Sequence, residues 1–200
     1  MYEAIARNYL ADALKSFRDY KKLADKALAQ VSDEEFFRAL DAEANSIAVI
    51  VKHLAGNMLS RWTDFLTTDG EKPDRHRDME FVITPETTRA AMIGVWERGW
   101  ACVFAAIEPL TPEDLARTIY IRGQAHTVLE AIMRQLAHYS SHVGQIILLA
   151  KHWRGAEWQT LSVPRNRSAE FNQYLGDKLA SGENPGRHEA VQDFAENAIK

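Results

Sequence analysis

Cysteine is nearly missing from this chain of 200 residues: Cys102 stands alone, which excludes an internal disulfide framework and suits a reducing compartment. A surplus of either charge is also lacking. Lys and Arg number 24 against 28 Asp and Glu, a net −4, and the two signs are interleaved so that no basic run or single-sign tail forms. Nothing in that balance provides an electrostatic footprint for nucleic acid. No apolar run approaches the length of a membrane span. The opening "MYEAIARNYLADALKSF" carries acids and no continuous apolar stretch, so it does not read as a signal peptide. The expectation is a cytoplasmic protein with neither nucleic acid nor membrane as a partner.

What is present is amphipathic helix. Hydrophobic residues make up 46% and charged residues 26%, an ordinary globular balance that can supply a sizeable core. Leu10, Leu14, Phe17, Tyr20, Ala24, Leu28 and Val31 step by three and four along a first long helix ending near "VSDEE". Ile47, Ile50, Val51, Leu54, Met58, Trp62 and Phe65 mark a second. It stops at "TTDGEKPDRHRD", a polar stretch with Gly70 and Pro73 that reads as an exposed loop. "ITPETT" predicts the start of a third helix, with Thr84 as N-cap and Pro85 at the first helical position. Ile93, Trp96, Trp100, Phe104 and Ile107 give its buried face.

"ARTIYIRGQAH" alternates like a brief strand broken by Gly123. "TVLE", Thr127 to Glu130, has the form of a capping box and opens a fourth long helix that runs to about Trp153. A short fifth helix is predicted around Ser168 to Leu175. The expected fold is all-α: a four-helix bundle with a short strand-like arm before helix four and a short C-terminal helix. One domain is expected over 1–176, with a loosely attached tail over 177–200.

The fourth helix raises the functional question. No charged residue occurs from Gln135 through Ala150. Leu129, Ile132, Met133, Leu136, Val143 and Ile147 form its predicted core stripe. His138 and His142 lie on a second side with Ala131, Gln135, Gln145 and Leu149, so the helix is expected to be enclosed nearly all round. Buried imidazoles need hydrogen-bond partners or a ligand. One turn apart, two of them can grip a single ion, the geometry that HExxH zinc helices use. His53, midway along the second helix in "VIVKHLAGNMLSRW", is the obvious third donor. His76 sits in the charged loop, His126 before helix four, His152 at its end and His188 in the tail, and all fit worse. Spacing alone is a weak signal, because HxxxH arises easily by chance and such pairs are commonly structural or surface residues.

A long-helix bundle with a histidine in mid-helix two and "HYSSHVGQI" on helix four resembles the DinB/YfiT-like superfamily of bacterial metalloenzymes. The resemblance runs from the first helix to about His152. In that superfamily an HxxxHxGQ element on the last long helix joins a histidine of helix two in a three-histidine metal site. "MLSRWTDFLTTDGEKPDRHRD" and "LSVPRNRSAEFN" are further similar to one branch of the group. The resemblance implies His53, His138 and His142 as ligands of a divalent metal ion, with Gly144 and Gln145 completing the motif. Some members are thiol-dependent transferases or isomerases that use a low-molecular-weight thiol. A metal-dependent enzyme of thiol-dependent S-transferase or hydrolase type is therefore implied, with such a thiol or another small molecule as its ligand.

Three neutral imidazoles leave coordination positions open, the pattern of catalytic rather than structural zinc. Zinc or nickel is expected first and iron after them, since imidazole suits all three. Asn57 and Gln145 are candidates for supporting the imidazoles from behind. Trp100, with Trp62 and Trp96, could line an apolar substrate pocket, although core packing explains all three more cheaply. Arg165 and Arg167 could take an anionic group of a substrate. No general base stands out: solvation or capping accounts for Glu43, Glu97 and Glu130. The alternative is a non-catalytic bundle whose ion staples helices two and four and which acts through self-association or ligand binding. Two apolar faces on helix four lead to the expectation of a homodimer.

Overall fold

The computed structural model describes residues 2–198, and they form a mostly helical protein. Four long helices make up the bundle: α1 (Tyr2–Leu28), α3 (Ile47–Trp62), α4 (Arg89–Ile107) and α5 (Val128–Arg154), with the short α2 (Asp33–Phe37) between the first two. Strands β1 (Thr118–Ile121) and β2 (Gln124–Thr127) precede α5, and α6 (Ser168–Ala180) and α7 (Arg187–Ala198) follow it. The chain falls into two compact units that divide after Trp153.

Phe17 of α1 is fully buried and meets one aromatic ring from each of the other long helices. Ring centroids lie 6.2 Å away at Trp62 of α3, 6.5 Å at Trp100 of α4 and 5.8 Å at Tyr139 of α5. Alanines 6, 13, 24 and 27 on the same face of α1 are buried too, and their small side chains let the neighbours come close. α3 has almost no solvated face. Its Ser46 caps the helix by accepting from the Val49 amide.

α4 begins four residues later than the sequence predicts. Thr84 instead closes a turn with Thr87, whose amide donates to the Thr84 carbonyl at 2.9 Å. Thr88 is left to cap α4 by accepting from the Ala91 amide. α4 also corrects the expectation about apolar runs, because by length and composition alone it could cross a membrane. Here it buries Met92, Trp96, Trp100, Val103 and Ile107, as the core helix of a bundle does.

The predicted strand-like arm is a two-stranded antiparallel hairpin in which Thr118 faces Thr127 and Ile121 faces Gln124. Arg122 (φ 57°) and Gly123 (φ 72°) both take the left-handed conformation in its turn, as a tight two-residue hairpin requires. Asp69 holds that turn, accepting from the Arg122 amide at 2.8 Å and the Gly123 amide at 2.7 Å.

The capping box opening α5 forms as predicted: the Glu130 amide donates to Thr127 Oγ1, and Glu130 accepts from the Thr127 amide. Its core face is rotated from the predicted stripe. Val128, Ala131, Ile132, Gln135, Tyr139, Val143, Ile146, Leu149 and Ala150 are buried, while Leu129, Met133 and Leu148 are exposed. The helix is thus not enclosed all round. Counting side chains by hydropathy missed that Tyr139 has partners waiting inside. Trp62 Nε1 donates to its hydroxyl at 3.0 Å, and that hydroxyl donates to Asn57 Oδ1 at 3.2 Å, so the phenol is buried without loss.

In the second unit α6 runs past Leu175 to Ala180 and through the boundary expected at residue 176. The segment expected as a tail contains α7, whose Phe194 packs on Phe171 and Tyr174.

Replacing Phe17 by alanine removes the ring that all three other long helices contact. The expected cost is about 3–5 kcal/mol of folding stability, read from the denaturant midpoint. A loss below about 1 kcal/mol would mean that these helices pack independently of it.

Candidate metal centre

His53 lies near the middle of α3 and is 7% exposed. His138 and His142 sit one turn apart on α5, each half-buried. Ligand-capable nitrogens of the three rings all lie within 4.8 Å of one another. His53 Nε2 and His138 Nε2 are 3.3 Å apart. Two imidazole nitrogens bound tetrahedrally to one ion at about 2.0–2.1 Å would be about 3.3–3.4 Å apart, so this pair already has the required spacing.

The other ring nitrogens decide which lone pairs are available. Glu80 Oε2 lies 2.8 Å from His53 Nδ1. An ionised carboxylate can only accept, so Nδ1 carries the proton and Nε2 the lone pair. Gln145 Oε1 does the same for His142, 2.7 Å from its Nδ1. A carboxylate or carbonyl behind an imidazole is the usual way a metal-binding histidine is oriented.

Glu80 lies two residues beyond the stretch that reads as an exposed loop, and that stretch, though largely exposed, buries Gly70 and partly buries Arg75. The segment folds back along α3. Ser60 Oγ donates to the Gly70 carbonyl at 2.9 Å, and the Arg61 guanidinium donates to the same carbonyl. A short 3₁₀ turn, Arg77–Phe81, then delivers Glu80. Its carboxylate is gripped by Arg75, with Nε at 2.8 Å and Nη2 at 3.0 Å. Glycine at 56 makes this approach possible: a Cβ there would collide with the Glu80 carboxylate. Phe81 covers the His53 ring, centroid to centroid 5.3 Å.

Electrostatics keeps the cluster in the state a metal needs. Burial, then the neighbouring His142, His53, Arg61 and Arg75, push the pKa of His138 down to about 3. Burial also lowers that of His142, only partly opposed by the Gln145 hydrogen bond. Both are therefore neutral at pH 7. For Glu80, burial acts to raise the pKa, but hydrogen bonds from His53 and Arg75 and the Arg75 charge outweigh it and hold it below the usual carboxylate range.

His53 and His138 also line a cavity of about 250 Å³ whose wall includes Asn57 and Gln135. A divalent ion among the three imidazoles would be reachable from it. The donor set fits such an ion: three nitrogens, two with fixed tautomers, and no fourth protein ligand among the described residues.

Other residues singled out in the sequence lie elsewhere or act differently. Asn57 is at the cavity, but its oxygen serves Tyr139. Trp100 is fully buried in the aromatic core against Phe17, Trp96 and Tyr139. Arg165 and Arg167 belong to the second unit, where Arg167 pairs with Glu170. Glu43 lies in a loop. Glu80 and Arg75 were missed. The one available sign was "MEFVI", an apolar return at the end of a polar loop, which suggests a segment that comes back to the body of the protein.

The chain matches the family described as "Protein of unknown function (DUF1572)" over residues 4–167, a span holding the three histidines, Arg75 and Glu80. No curated protein and no solved structure matches it.

Alanine in place of glycine inside a helix ordinarily stabilises by about 0.5–1 kcal/mol. At Gly56 the opposite sign is expected, a loss of about 1–3 kcal/mol from the forced shift of Glu80, measured by thermal or denaturant unfolding with a chelator present. A more stable Gly56→Ala protein would show that Glu80 does not rest against α3.

Proposed function

We propose a metal-dependent activity for this chain, which belongs to the DUF1572 family. In this reading His53, His138 and His142 hold a divalent ion, zinc or nickel first and iron after them, in the manner of the DinB/YfiT-like superfamily that the sequence resembles. The observation that carries it is the pair of supports behind the rings: Glu80 on His53 and Gln145 on His142 leave Nε2 of each as the available donor. Bound there, a divalent ion would supply Lewis acidity, drawing down the pKa of a water or gripping a thiolate.

The residues favour thiol-dependent transfer over hydrolysis. Hydrolysis wants a carboxylate or imidazole free to take a proton. The cavity wall offers arginines, amides and two imidazoles already committed to the cluster, and no carboxylate. Glu80 stands behind His53, occupied by it and by Arg75. A thiol needs less help, because its pKa near 8.5 falls beside positive charge. The non-catalytic alternative, an ion that only staples α3 to α5, would be better served by four protein ligands and no cavity.

Self-association is part of the proposal. Leu129, Met133 and Leu148 on α5 are 40, 51 and 65% exposed, and a homodimer would cover them. A solution particle of 22.7 kDa, the mass of one chain, would count against that part.

Cobalt(II) loading of untagged protein tests the metal reading. One ion per chain with visible d–d bands is expected, and alanine at any of the three histidines should weaken uptake by at least about 100-fold, the upper end for losing even an outer support. Titration with cysteine should then add a thiolate-to-cobalt absorption. A spectrum that responds to small oxyanions but not to thiols would favour hydrolysis, and one that responds to neither would favour the staple.

A further inference from the structure

The cavity beside the imidazoles has an unusual wall. Arg61 reaches it from α3, Arg75 and Arg77 from the loop and turn that follow, Arg122 from the hairpin and Arg134 from α5. Like charges gathered from four parts of a fold repel one another, and only two carboxylates within the network offset them. Glu71 Oε2 lies 2.7 Å from Arg61, 3.4 Å from Arg75 and 3.3 Å from Arg122. Glu80 takes the fork of Arg75. Arg77 has only the exposed Asp78, at 3.8 Å. Arg134 makes no ion pair or hydrogen bond among the described residues. Five guanidiniums, of which Arg77, Arg122 and Arg134 are exposed, against the buried Glu80 and the partly buried Glu71 leave about three positive charges facing a space that the fold itself does not fill.

The wall also carries Gln135, 2% exposed, whose amide oxygen has no hydrogen-bond partner. That oxygen can only accept, so it would take an N–H or O–H of a ligand and offers nothing to an oxyanion.

We infer that this cavity binds a compact polyanionic group of a small molecule, a dicarboxylate or a phosphoryl group, and holds it beside the imidazole cluster. The chemistry is that of guanidinium forks meeting oxyanions, which they do bidentately and with charge. The volume, about 250 Å³, lies under the usual range for whole drug-sized ligands, so it accommodates a charged end and leaves the remainder of the molecule to extend outward. Placement of that end next to a metal rests on the reading above; the binding itself does not.

Isothermal titration of the full-length chain with inorganic phosphate and with succinate tests the inference, on chelator-treated and on cobalt-loaded protein. At least one of the two anions should bind with a submillimolar Kd, phosphate marking a phosphoryl site and succinate a dicarboxylate site. Arg134→Gln should weaken binding by about tenfold or more, the worth of one charge-assisted hydrogen bond, with the melting temperature of the anion-free protein unchanged. Arg77→Gln should weaken it similarly. Lys151→Gln, the same loss of charge at an exposed position of α5 outside the cavity, should leave it as it was. Failure of both anions to bind, or equal effects of Arg134→Gln and Lys151→Gln, would overturn the inference. Anion binding without metal uptake would sustain it and sink the metal reading, and metal uptake without anion binding would do the reverse.

Discussion

The contact between His53 and Glu80 is the constraint on which the functional end of this molecule depends. It fixes the His53 tautomer, draws the segment after α3 back onto that helix, and supplies the acid that Arg75 needs in order to be buried. Removing one partner from a buried charged pair leaves the other uncompensated, at a cost of about 3–5 kcal/mol. The arrangement is therefore self-enforcing. Glu80 cannot leave without exposing Arg75, and it reaches His53 only because position 56 has no side chain.

A second set of contacts makes the rings meet. Asn57 is one turn beyond His53 on α3, and Tyr139 immediately follows His138 on α5. The chain Trp62–Tyr139–Asn57 crosses between these helices within the core. It can be satisfied in only one register, and that register sets His53 Nε2 against His138 Nε2. Phe17, pressed on Trp62, Trp100 and Tyr139, locks the same crossing from α1. Aromatic core and imidazole cluster are thus adjoining layers, the first positioning the second.

Much of this was legible in the sequence and some was not, for physical reasons. The helices announce themselves because each must bury a stripe at a 3.6-residue period, and Thr127 with Glu130 marks the start of α5 by a local hydrogen-bond exchange. The histidines could be nominated because imidazoles in a charge-free helix need an explanation. Thr84 was mistaken for a cap because two threonine-containing turns lie in succession, and only packing selects Thr88. The phase of α5 was misjudged because Leu129 and Met133 look buried by hydropathy, whereas Tyr139 is buried by partnership. Beyond the apolar return of "MEFVI", nothing local marks Glu80, Arg75 and the arginine wall, since their meaning depends on where a polar loop comes to rest, and no local rule encodes that.

X-ray absorption at the edge of the ion that untagged, full-length protein binds is the most direct measurement of the central claim. A coordination shell containing three imidazole nitrogens at about 2.0–2.1 Å is expected, falling to two in His53→Ala. A shell without imidazole scattering, or a protein that takes up no divalent ion, would contradict it.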